Sequence, residues 1–521
     1  MINENKLDMN KRTRNFLFLI ILVVISISVR LFFLPFETPF KTDAIDYFSF
    51  ALETSKTFEF PNGILKTNDG WSLFLSPIFS IVGNSDMMSL VNAQRITSIV
   101  ISSLTIIPIF YLCKKFVLPK YALIGAGLFG FSHRLMENSI LGLTESLFIF
   151  LITCVLFFSL SKNSKSYFMS FSLLALASIV RYEALVFLIP LVIIFFIRFR
   201  KIKKSYLKLP LFILIFILIL LPVATLRLES NNSDGLISHT IGNPNITNPN
   251  TYSSVAGPDI MNESNQSQNS FMLNSFFNTF KFLGLISIPL FAFFLPTGIY
   301  RLIKTKNTDL FYLLIFSVFM IIPAMYAYGR EIQDTRYLFV LFPFFCVISV
   351  YGLDVTKKFQ KNNYIIIVLA VIIVSSIFLL NLEQSDFLYN SEIYQITKKI
   401  VEDANGVNGY SGSSYVKIAT LEKMWPNSLP LNEEGKVSSN LKIIPTDNFD
   451  TIEEYIIKSQ DSGLTHIILT KNNGSLFLDK LASDYNQYSY LEKIYDSQDH
   501  DFENEIIILK INYMDFKNKK I

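Results

Sequence analysis

The stretch NFLFLIILVVISISVRLFFLPF, residues 15–36, is long and apolar enough to cross a membrane, since a transmembrane helix needs about 20 such residues. Basic residues precede it, namely Lys11, Arg12 and Arg14. A small-residue cleavage site is absent, so we interpret the run as a retained signal-anchor rather than a cleaved signal peptide. We therefore expect the first of several membrane spans at this point.

The composition extends this expectation to the whole chain. Of 521 residues, 51% are hydrophobic and 17% are charged, whereas an ordinary soluble domain carries about 25% charged residues. The mean hydropathy is +0.40. These values exclude a soluble globular enzyme and a disordered chain. The net charge of only +4 argues against a nucleic-acid partner, and the sequence predicts a polytopic α-helical membrane protein.

Apolar runs of span length recur along residues 1–384. We predict eleven spans, at 15–36, 91–112, 121–137, 141–160, 166–180, 183–198, 207–226, 280–300, 309–328, 335–353 and 363–381. Every second connecting segment is rich in Lys and Arg, as in the run RFRKIKK at 198–204. Because basic loops stay inside, we expect the N-terminus inside and the C-terminus outside. The Asn-x-Ser/Thr sequons at Asn231, Asn245, Asn262, Asn265 and Asn473 agree with that orientation.

Residues 385–521 have a different character. Short strand-like runs, VKIA, THIILT and EIIILKI, alternate there with the helix-like stretches TIEEYIIKSQ and LFLDKLASDY. This alternation predicts a small extracytoplasmic α/β domain. A second outer segment, 227–279, is rich in Asn, Ser and Pro, and we expect either a flexible or a substrate-covering loop.

The outer loop at 37–90 carries the first candidate for chemistry. It opens with PFKTDAIDYFSFALE, in which Asp43 and Asp46 are three residues apart and would share one face of a helix. An apolar run of about 13 residues follows Gly70, too short to span a membrane but suited to a helix in the interface. Solvated acids that merely start a helix are the alternative interpretation of Asp43 and Asp46.

Charged and polar side chains recur at the predicted outer ends of several spans. They are Arg30, His133, Arg134, Glu137, Glu145, Arg181, Glu183, Arg330, Glu331, Asp334, Arg336 and Tyr337. Charges at this depth are costly and usually face a cavity or a partner, so we expect an outward-opening polar cavity. Salt bridges that only lock helices together are the alternative. The three cysteines and four histidines are scattered, and we predict no metal site.

These features together resemble the GT-C membrane glycosyltransferases, and in particular the protein O-mannosyltransferase family (glycosyltransferase family 39) with its bacterial and archaeal relatives. The matching segments are TDAIDYFSFA (42–51), NDGWSLFLSPIFSIVG (68–83), QRITSIVISSLTIIPIFYL (94–112), LTESLFIFL (143–151), RYEALVFLIPLV (181–192) and DTRYLFVLFPFF (334–345). Many members have adjacent Asp-Glu in the first motif, where this chain has Asp43 followed by Ala44. The oligosaccharyltransferase signature WWDYG is absent, which argues against oligosaccharide transfer to asparagine.

The resemblance implies an inverting, mannosyltransferase-like hexosyltransferase in the plasma membrane, with its active site on the extracytoplasmic side. Its donor would be a polyprenyl- or dolichyl-phosphate sugar, its acceptor a hydroxyl of a protein, glycan or lipid, and it would need no cofactor or metal. Asp43 matches the catalytic base and Asp46 a supporting carboxylate. For donor phosphate and substrate binding, the candidates are Arg181, Arg336, Arg134, Glu145, Tyr337 and Arg330.

Two other functions stay open at this level. A transporter or flippase for a lipid-linked or small polar substrate would also use intramembrane Arg and Glu. Such proteins usually have paired, inverted halves, and we find no internal repeat. A scaffold or receptor would need neither Asp43 nor the set of arginines.

Overall fold

The computed structural model describes most of the chain. The described residues are 2–40, 43–61, 68–83, 86–200, 207–231, 268–305, 307–353, 362–382, 384–410, 412–425, 427, 441–446, 449–470, 473, 475–500, 502 and 505–518. Within them the chain is helical as far as residue 403, and beyond that point helices and strands alternate.

Sixteen helices precede residue 383 in the described part of the chain. They are α1 Ile2–Phe32, α2 Asp43–Thr57, α3 Gly70–Val82, α4 Met87–Leu104, α5 Ile106–Lys114, α6 Pro119–Gly130, α7 His133–Ile140, α8 Glu145–Ser159, α9 Ser164–Val180, α10 Leu188–Phe199, α11 Lys208–Asn231, α12 Gln268–Ser287, α13 Leu290–Lys304, α14 Thr308–Gly329, α15 Phe342–Leu353 and α16 Asn362–Leu382. Two 3₁₀ turns, Tyr182–Phe187 and Thr335–Leu341, lead directly into α10 and α15.

Seven apolar segments of the described chain are long enough to cross a membrane. They are Thr13–Phe32, Met87–Lys114, Tyr182–Phe199, Lys208–Ser230, Thr308–Gly329, Thr335–Leu353 and Tyr364–Leu382. Several expose large apolar side chains, such as Leu218 on α11 and Phe378 on α16. Such surfaces suit lipid rather than water, and the protein is a multi-pass membrane protein as expected.

The predicted number of eleven spans is not confirmed. The run at 121–137 forms two short helices, α6 and α7, and the runs at 141–160 and 166–180 form α8 and α9, which have 15 and 17 residues. The run at 280–300 belongs to a helix pair, Phe271–Ser287 and Leu290–Lys304, which bends by 111°. A proline at position 289, between the two, cannot donate a helical hydrogen bond. Counting that pair as one span raises the total in the described chain to eight.

The last part of the chain forms a small sheet covered by helices, as predicted. Its elements are α17 Gln384–Asp403, β1 Gly406–Asn408, α18 Ser413–Met424, β2 Lys442–Ile444, α19 Ile452–Ser459, β3 His466–Leu469, α20 Leu476–Ser483, β4 Leu491–Asp496, β5 Ile507–Ile511 and α21 Tyr513–Asn518. The strand order is β2-β1-β3-β5-β4. β1 pairs in parallel with β2 and β3, and β5 is antiparallel to β3 and β4. Tyr455, Ile467 and Leu509 lie in its core.

One predicted strand is wrong. The run VKIA, residues 416–419, lies inside helix α18, whereas THIILT and EIIILKI contain β3 and β5. A short apolar run does not distinguish a strand from a buried helix. Here Tyr415, Val416, Ile418, Ala419 and Leu421 are all buried, so this part of α18 is a buried helix.

The described structure divides into two compact units. The first unit comprises Met1–Leu34, Thr57–Ile78 and Gln94–Asn381, and the second comprises Pro35–Lys56, Phe79–Ala93 and Leu382–Ile521. The division into a membrane domain, residues 1–384, and an outer domain, residues 385–521, remains a prediction from the sequence. Most of the predicted outer loop at 227–279, with the sequons at Asn245, Asn262 and Asn265, lies outside the described residues. Its ends are helical, since α11 reaches Asn231 and α12 begins at Gln268.

Candidate active site

Helix α2 in the second unit carries the candidate catalytic carboxylates. Asp43 and Asp46 lie in its first turn, as the three-residue spacing predicts. Phe48 anchors the helix between Phe40 and Phe79, with ring centroids 5.6 and 5.3 Å apart. Glu53 occupies the same face of α2 as the two aspartates by helical spacing, and burial raises the pKa of its carboxyl.

Helix α18 of the tail and Trp425, the residue that follows it, contact the two ends of α2 within this second unit. Lys417 Nζ lies 3.5 Å from Asp46 Oδ1, and Lys56 Nζ lies 3.8 Å from the centre of the Trp425 ring. The first contact is at the start of α2 and α18, and the second is at their ends. The two helices therefore run alongside each other in the same direction, and residues of the tail support the helix that carries Asp43.

A second polar cluster, in the first unit, centres on Arg181. This residue ends helix α9 in an extended conformation. Its Nη1 lies 2.5 Å from Glu145 Oε1, and its Nη2 lies 2.8 Å from Glu183 Oε1. Glu145 is only 3% exposed. A charge at that depth needs a partner, and Arg181 supplies one.

Arg336 is the second residue of the other 3₁₀ turn, Thr335–Leu341. Asp334 caps this turn, because its Oδ1 accepts a hydrogen bond of 2.8 Å from the Arg336 backbone N–H. The same aspartate holds the guanidinium, with Oδ2 2.6 Å from Nη2. Arg336 Nη1 lies 4.0 Å from Glu145 Oε1, so both arginines share that carboxylate. The Arg181 guanidinium also lies 5.7 Å from the centre of the Tyr337 ring.

These side chains line one pocket, which is partly open to solvent. Its polar lining is Glu145, Arg181, Glu183, Arg336 and Tyr337, and its apolar lining is Phe148, Ile149, Phe187, Met320, Pro323, Phe339 and Val340. The pocket is therefore amphipathic, with guanidinium groups and apolar side chains in one cavity. That chemistry suits a ligand with an anionic head and a hydrocarbon tail.

Among the described residues, two guanidinium groups meet three carboxylates around the pocket. The guanidinium groups are Arg181 and Arg336, and the carboxylates that contact them are Glu145, Glu183 and Asp334. Arg336 is 29% exposed and Arg181 12% exposed. Arg336 is thus the more accessible cation, and a ligand anion must compete with a carboxylate for it.

The structure brings together four of the six predicted donor-binding residues, Arg181, Arg336, Glu145 and Tyr337. The other two lie elsewhere. Arg134 is on α7, with Nη1 3.9 Å from Glu137 Oε2, and Arg330 follows α14 with its guanidinium 5.9 Å from the Tyr326 ring centre. No group of three or more metal-ligating side chains occurs among the residues that the structure describes.

Arg30 and Arg227 are buried arginines that are not among the predicted catalytic or donor-binding residues. Arg30 is fully buried and donates to Ser139, Gly130 and Ser102, at 3.0, 2.9 and 3.4 Å, which fastens α1 to the neighbouring helices. Arg227, near the end of α11, pairs with buried Asp69. Their signal in the sequence is a lone charge at the end of an apolar run, which does not reveal the partner.

Comparison with known proteins gives a sequence match over part of the chain and matches of fold over most of it. Residues 72–225 match the family model described as dolichyl-phosphate-mannose-protein mannosyltransferase, while no curated protein sequence matches the chain. The fold is similar to that of the Archaeoglobus fulgidus oligosaccharyltransferase in its apo form, with 12% identity, a TM-score of 0.54, and coverage of 88% of this chain and 70% of that one.

It is also similar to apo ArnT from Cupriavidus metallidurans, with 9% identity, a TM-score of 0.52, and coverage of 94% of this chain and 97% of that one. Both enzymes have structures with lipid phosphates: ArnT bound to undecaprenyl phosphate, and the archaeal oligosaccharyltransferase AglB in complex with an inhibitory peptide and a dolichol-phosphate. In sequence over residues 72–225, and in fold over most of its length, the chain is thus similar to the membrane glycosyltransferases of the GT-C superfamily.

Proposed function

We propose that this protein transfers a sugar from a polyprenyl- or dolichyl-phosphate donor to an acceptor hydroxyl at the extracytoplasmic surface of the plasma membrane. The observation that carries the proposal is the amphipathic pocket, which offers guanidinium groups and an apolar wall in one cavity. The lipid phosphates bound by ArnT and AglB have this same chemistry. A transporter of small polar solutes would not need the apolar wall.

The donor phosphate is assigned to Arg336 and Arg181. A guanidinium offers two parallel N–H donors to a phosphate, which an ammonium group does not. Arg336 is the more exposed of the two and only 4.0 Å from Glu145, the longest of the pocket's ion pairs. On binding, the phosphate replaces that weak contact, and Arg181 keeps Glu145 neutralised. Phe148, Phe187 and Met320 then face the first isoprene units of the lipid.

The chemical step is assigned to Asp43. Its carboxylate accepts the proton of the acceptor hydroxyl while the hydroxyl oxygen attacks the anomeric carbon. The bond from that carbon to the phosphate oxygen breaks, and the lipid phosphate leaves with the electron pair. The anomeric configuration inverts, because attack and departure take place on opposite faces of the sugar. Arg336 and Arg181 stabilise the charge that develops on the leaving phosphate.

Asp46 has a supporting role in this proposal. Its carboxylate contacts Lys417 of the tail, so it holds the first turn of α2 rather than taking the proton itself. The tail domain, residues 385–521, is proposed to lie outside the membrane with the active site. The acceptor of the sugar is proposed to be a hydroxyl of a protein, a glycan or another lipid.

Sugar transfer in membranes tests this proposal. Membranes that contain the protein are incubated with a labelled polyprenyl-phosphate sugar, and labelled acceptor is measured with and without that donor. We expect labelling that depends on the donor and on the protein. Transport of the lipid-linked sugar across sealed vesicles, with no new glycosidic bond, would instead indicate the flippase alternative.

A further inference from the structure

The segment Asn68–Trp71, which spans the end of the loop after α2 and the start of α3, contacts the backbone next to Arg181 and that of Gly142, shortly before Glu145. Helix α9 ends at Val180 and Arg181 is extended, so the backbone N–H of Tyr182, the first residue of the following 3₁₀ turn, has no acceptor within either helix. Asn68 supplies one, since its Oδ1 accepts a hydrogen bond of 3.3 Å from Tyr182 N–H. Asn68 therefore fixes the chain direction directly after Arg181.

Gly70 constrains the backbone directly before Arg181. A Cβ atom at position 70 would lie 2.6 Å from Val180 N and 2.7 Å from the Ile179 carbonyl carbon. Backbone atoms cannot move aside as a flexible side chain can, so only glycine fits this contact. The segment thus touches the chain on both sides of Arg181, through Gly70 and through Asn68.

Trp71 contacts the turn that leads to Glu145, the ion-pair partner of Arg181. Its Nε1–H donates a hydrogen bond of 3.0 Å to the carbonyl of Gly142, three residues before Glu145. Gln94 Nε2 donates to the same carbonyl at 2.9 Å. Gly142 has a φ of +73°, a conformation that favours glycine. The turn that leads into Glu145 is therefore held by two side-chain donors.

Asp69 anchors the segment itself. It is 3% exposed and pairs with Arg227, which is 4% exposed, near the end of α11. Its backbone carbonyl also accepts from Leu73 N–H at 2.9 Å and so starts α3. All four consecutive residues, Asn68 to Trp71, are thus committed to long-range contacts, and three of them flank Arg181 or Glu145.

We propose that Asn68–Trp71 is a positioning segment, which holds Arg181 and Glu145 in the geometry that receives the donor phosphate. The inference rests on the proposed function, and it assigns positioning roles to Asn68, Gly70 and Trp71. None of the three needs to touch the donor. Loss of a contact on the segment moves the guanidinium of Arg181 and weakens phosphate binding beyond any loss of stability.

Helix α9 offers a matched control, because an asparagine serves each of its ends. Asn163 Oδ1 accepts from Lys165 N–H at 3.0 Å at the start of α9, as Asn68 does for Tyr182 beyond its end. Asn68→Ala and Asn163→Ala each remove one such hydrogen bond. For glycine, Gly70→Ala has its control in Gly284→Ala, since a Cβ at position 284 meets open space.

The experiment measures the affinity of the purified full-length variants for undecaprenyl phosphate in lipid nanodiscs, together with their melting temperatures. Asn68→Ala should weaken binding by about two- to tenfold, the effect of one hydrogen bond, and Gly70→Ala by more. Asn163→Ala and Gly284→Ala should keep the wild-type affinity. If Gly70→Ala does not fold, Asn68→Ala still decides the question.

Two results would contradict the account, and they are distinct. Wild-type affinity in a folded Asn68→Ala protein, with a melting temperature equal to that of Asn163→Ala, would make the segment purely structural. Failure of the wild-type protein to bind undecaprenyl phosphate would overturn the proposed function itself.

Discussion

Glu145 and Arg181, 36 residues apart in the sequence, form an ion pair in which Nη1 lies 2.5 Å from Oε1, at the wall of an amphipathic pocket. The carboxylate is almost fully buried and is shared with Arg336. Removing one partner of such a pair leaves an uncompensated buried charge. A change at Glu145 or Arg181 therefore acts on stability as well as on ligand binding, whereas the more exposed Arg336 separates the two effects.

Arg336 is the cleaner test of phosphate binding. Arg336→Lys keeps the charge but loses the forked pair of donors, and Arg336→Ala loses both. We expect the alanine variant to weaken donor affinity by about ten- to a hundredfold, the range for a charged hydrogen bond, and the lysine variant to weaken it less. At Arg181 we likewise expect lysine to weaken donor affinity less than alanine does. Both Arg181 variants should lower the melting temperature more than the Arg336 variants. Unchanged donor affinity in a well-folded Arg336→Ala protein would remove this residue from the site.

The alternation of basic loops predicts the orientation of the chain. Reporter fusions after residues 205 and 390 should give inside and outside signals respectively, because the basic run RFRKIKK at 198–204 is expected to stay inside and the tail is proposed to lie outside. The described structure does not decide the orientation. It has seven or eight helices of span length, and the number of crossings depends on whether short helices such as α8 and α9 also cross the membrane. Signals of the same kind from both fusions would contradict the predicted topology.

The contact between α13 and α15 depends on glycine. A Cβ atom on Gly298 would clash with the Ile348 carbonyl oxygen, so Gly298→Ala forces the two helices apart. We expect a loss of about 1–3 kcal/mol, the usual cost of overpacking, measured as a lower melting temperature in detergent. Gly284→Ala on α12 should be neutral or stabilising, because its Cβ has room and alanine favours helix. Equal melting temperatures for the two variants would contradict the close contact.

The tail domain should lose stability in mild acid. His466 on β3 is buried, and this burial lowers the pKa of its imidazole; nearby Lys510 lowers it further and Asp403 opposes the shift. Once unfolded, histidine takes up a proton near its ordinary pKa of about 6.5. The unfolded state therefore binds more protons below that pH, and stability falls as the pH drops.

Melting temperatures between pH 7.5 and 5 check this prediction. The wild-type protein should lose stability more steeply than His466→Gln over that range, because glutamine has no proton to gain. Parallel pH profiles for the two proteins would show that His466 does not contribute to the acid sensitivity.

Much of this architecture follows from local sequence signals. The three-residue spacing of Asp43 and Asp46 predicts their common helix, and the 13-residue apolar run after Gly70 predicts α3. The strands at THIILT and EIIILKI are likewise local patterns. Short apolar runs carry less information. The run VKIA fits a strand as well as the helix that it forms. The apolar run at 121–137 likewise gives no local sign that it divides into α6 and α7.

The site depends on contacts between distant residues, and the sequence predicts these less well. Arg181, Glu145 and Arg336 were candidates because each is a charge at the end of an apolar run, and the same signal marks Arg134 and Arg330, which lie outside the pocket. Asp69 and Arg227 carry that signal too, yet nothing local pairs residues 158 positions apart. Tertiary packing decides which of these charges meet.

The most direct test of the central claim is single-turnover transfer by the purified protein. A labelled polyprenyl-phosphate sugar is mixed with enzyme and acceptor, and the new glycosidic bond and the released polyprenyl phosphate are measured together, for wild type, Asp43→Asn, Asp46→Asn and the exposed control Asp461→Asn. The account predicts equal amounts of both products, a loss of about 10²–10⁴-fold in rate for Asp43→Asn, a milder loss for Asp46→Asn, and wild-type rates for Asp461→Asn. Full activity in Asp43→Asn, or sugar transfer without release of polyprenyl phosphate, would contradict it.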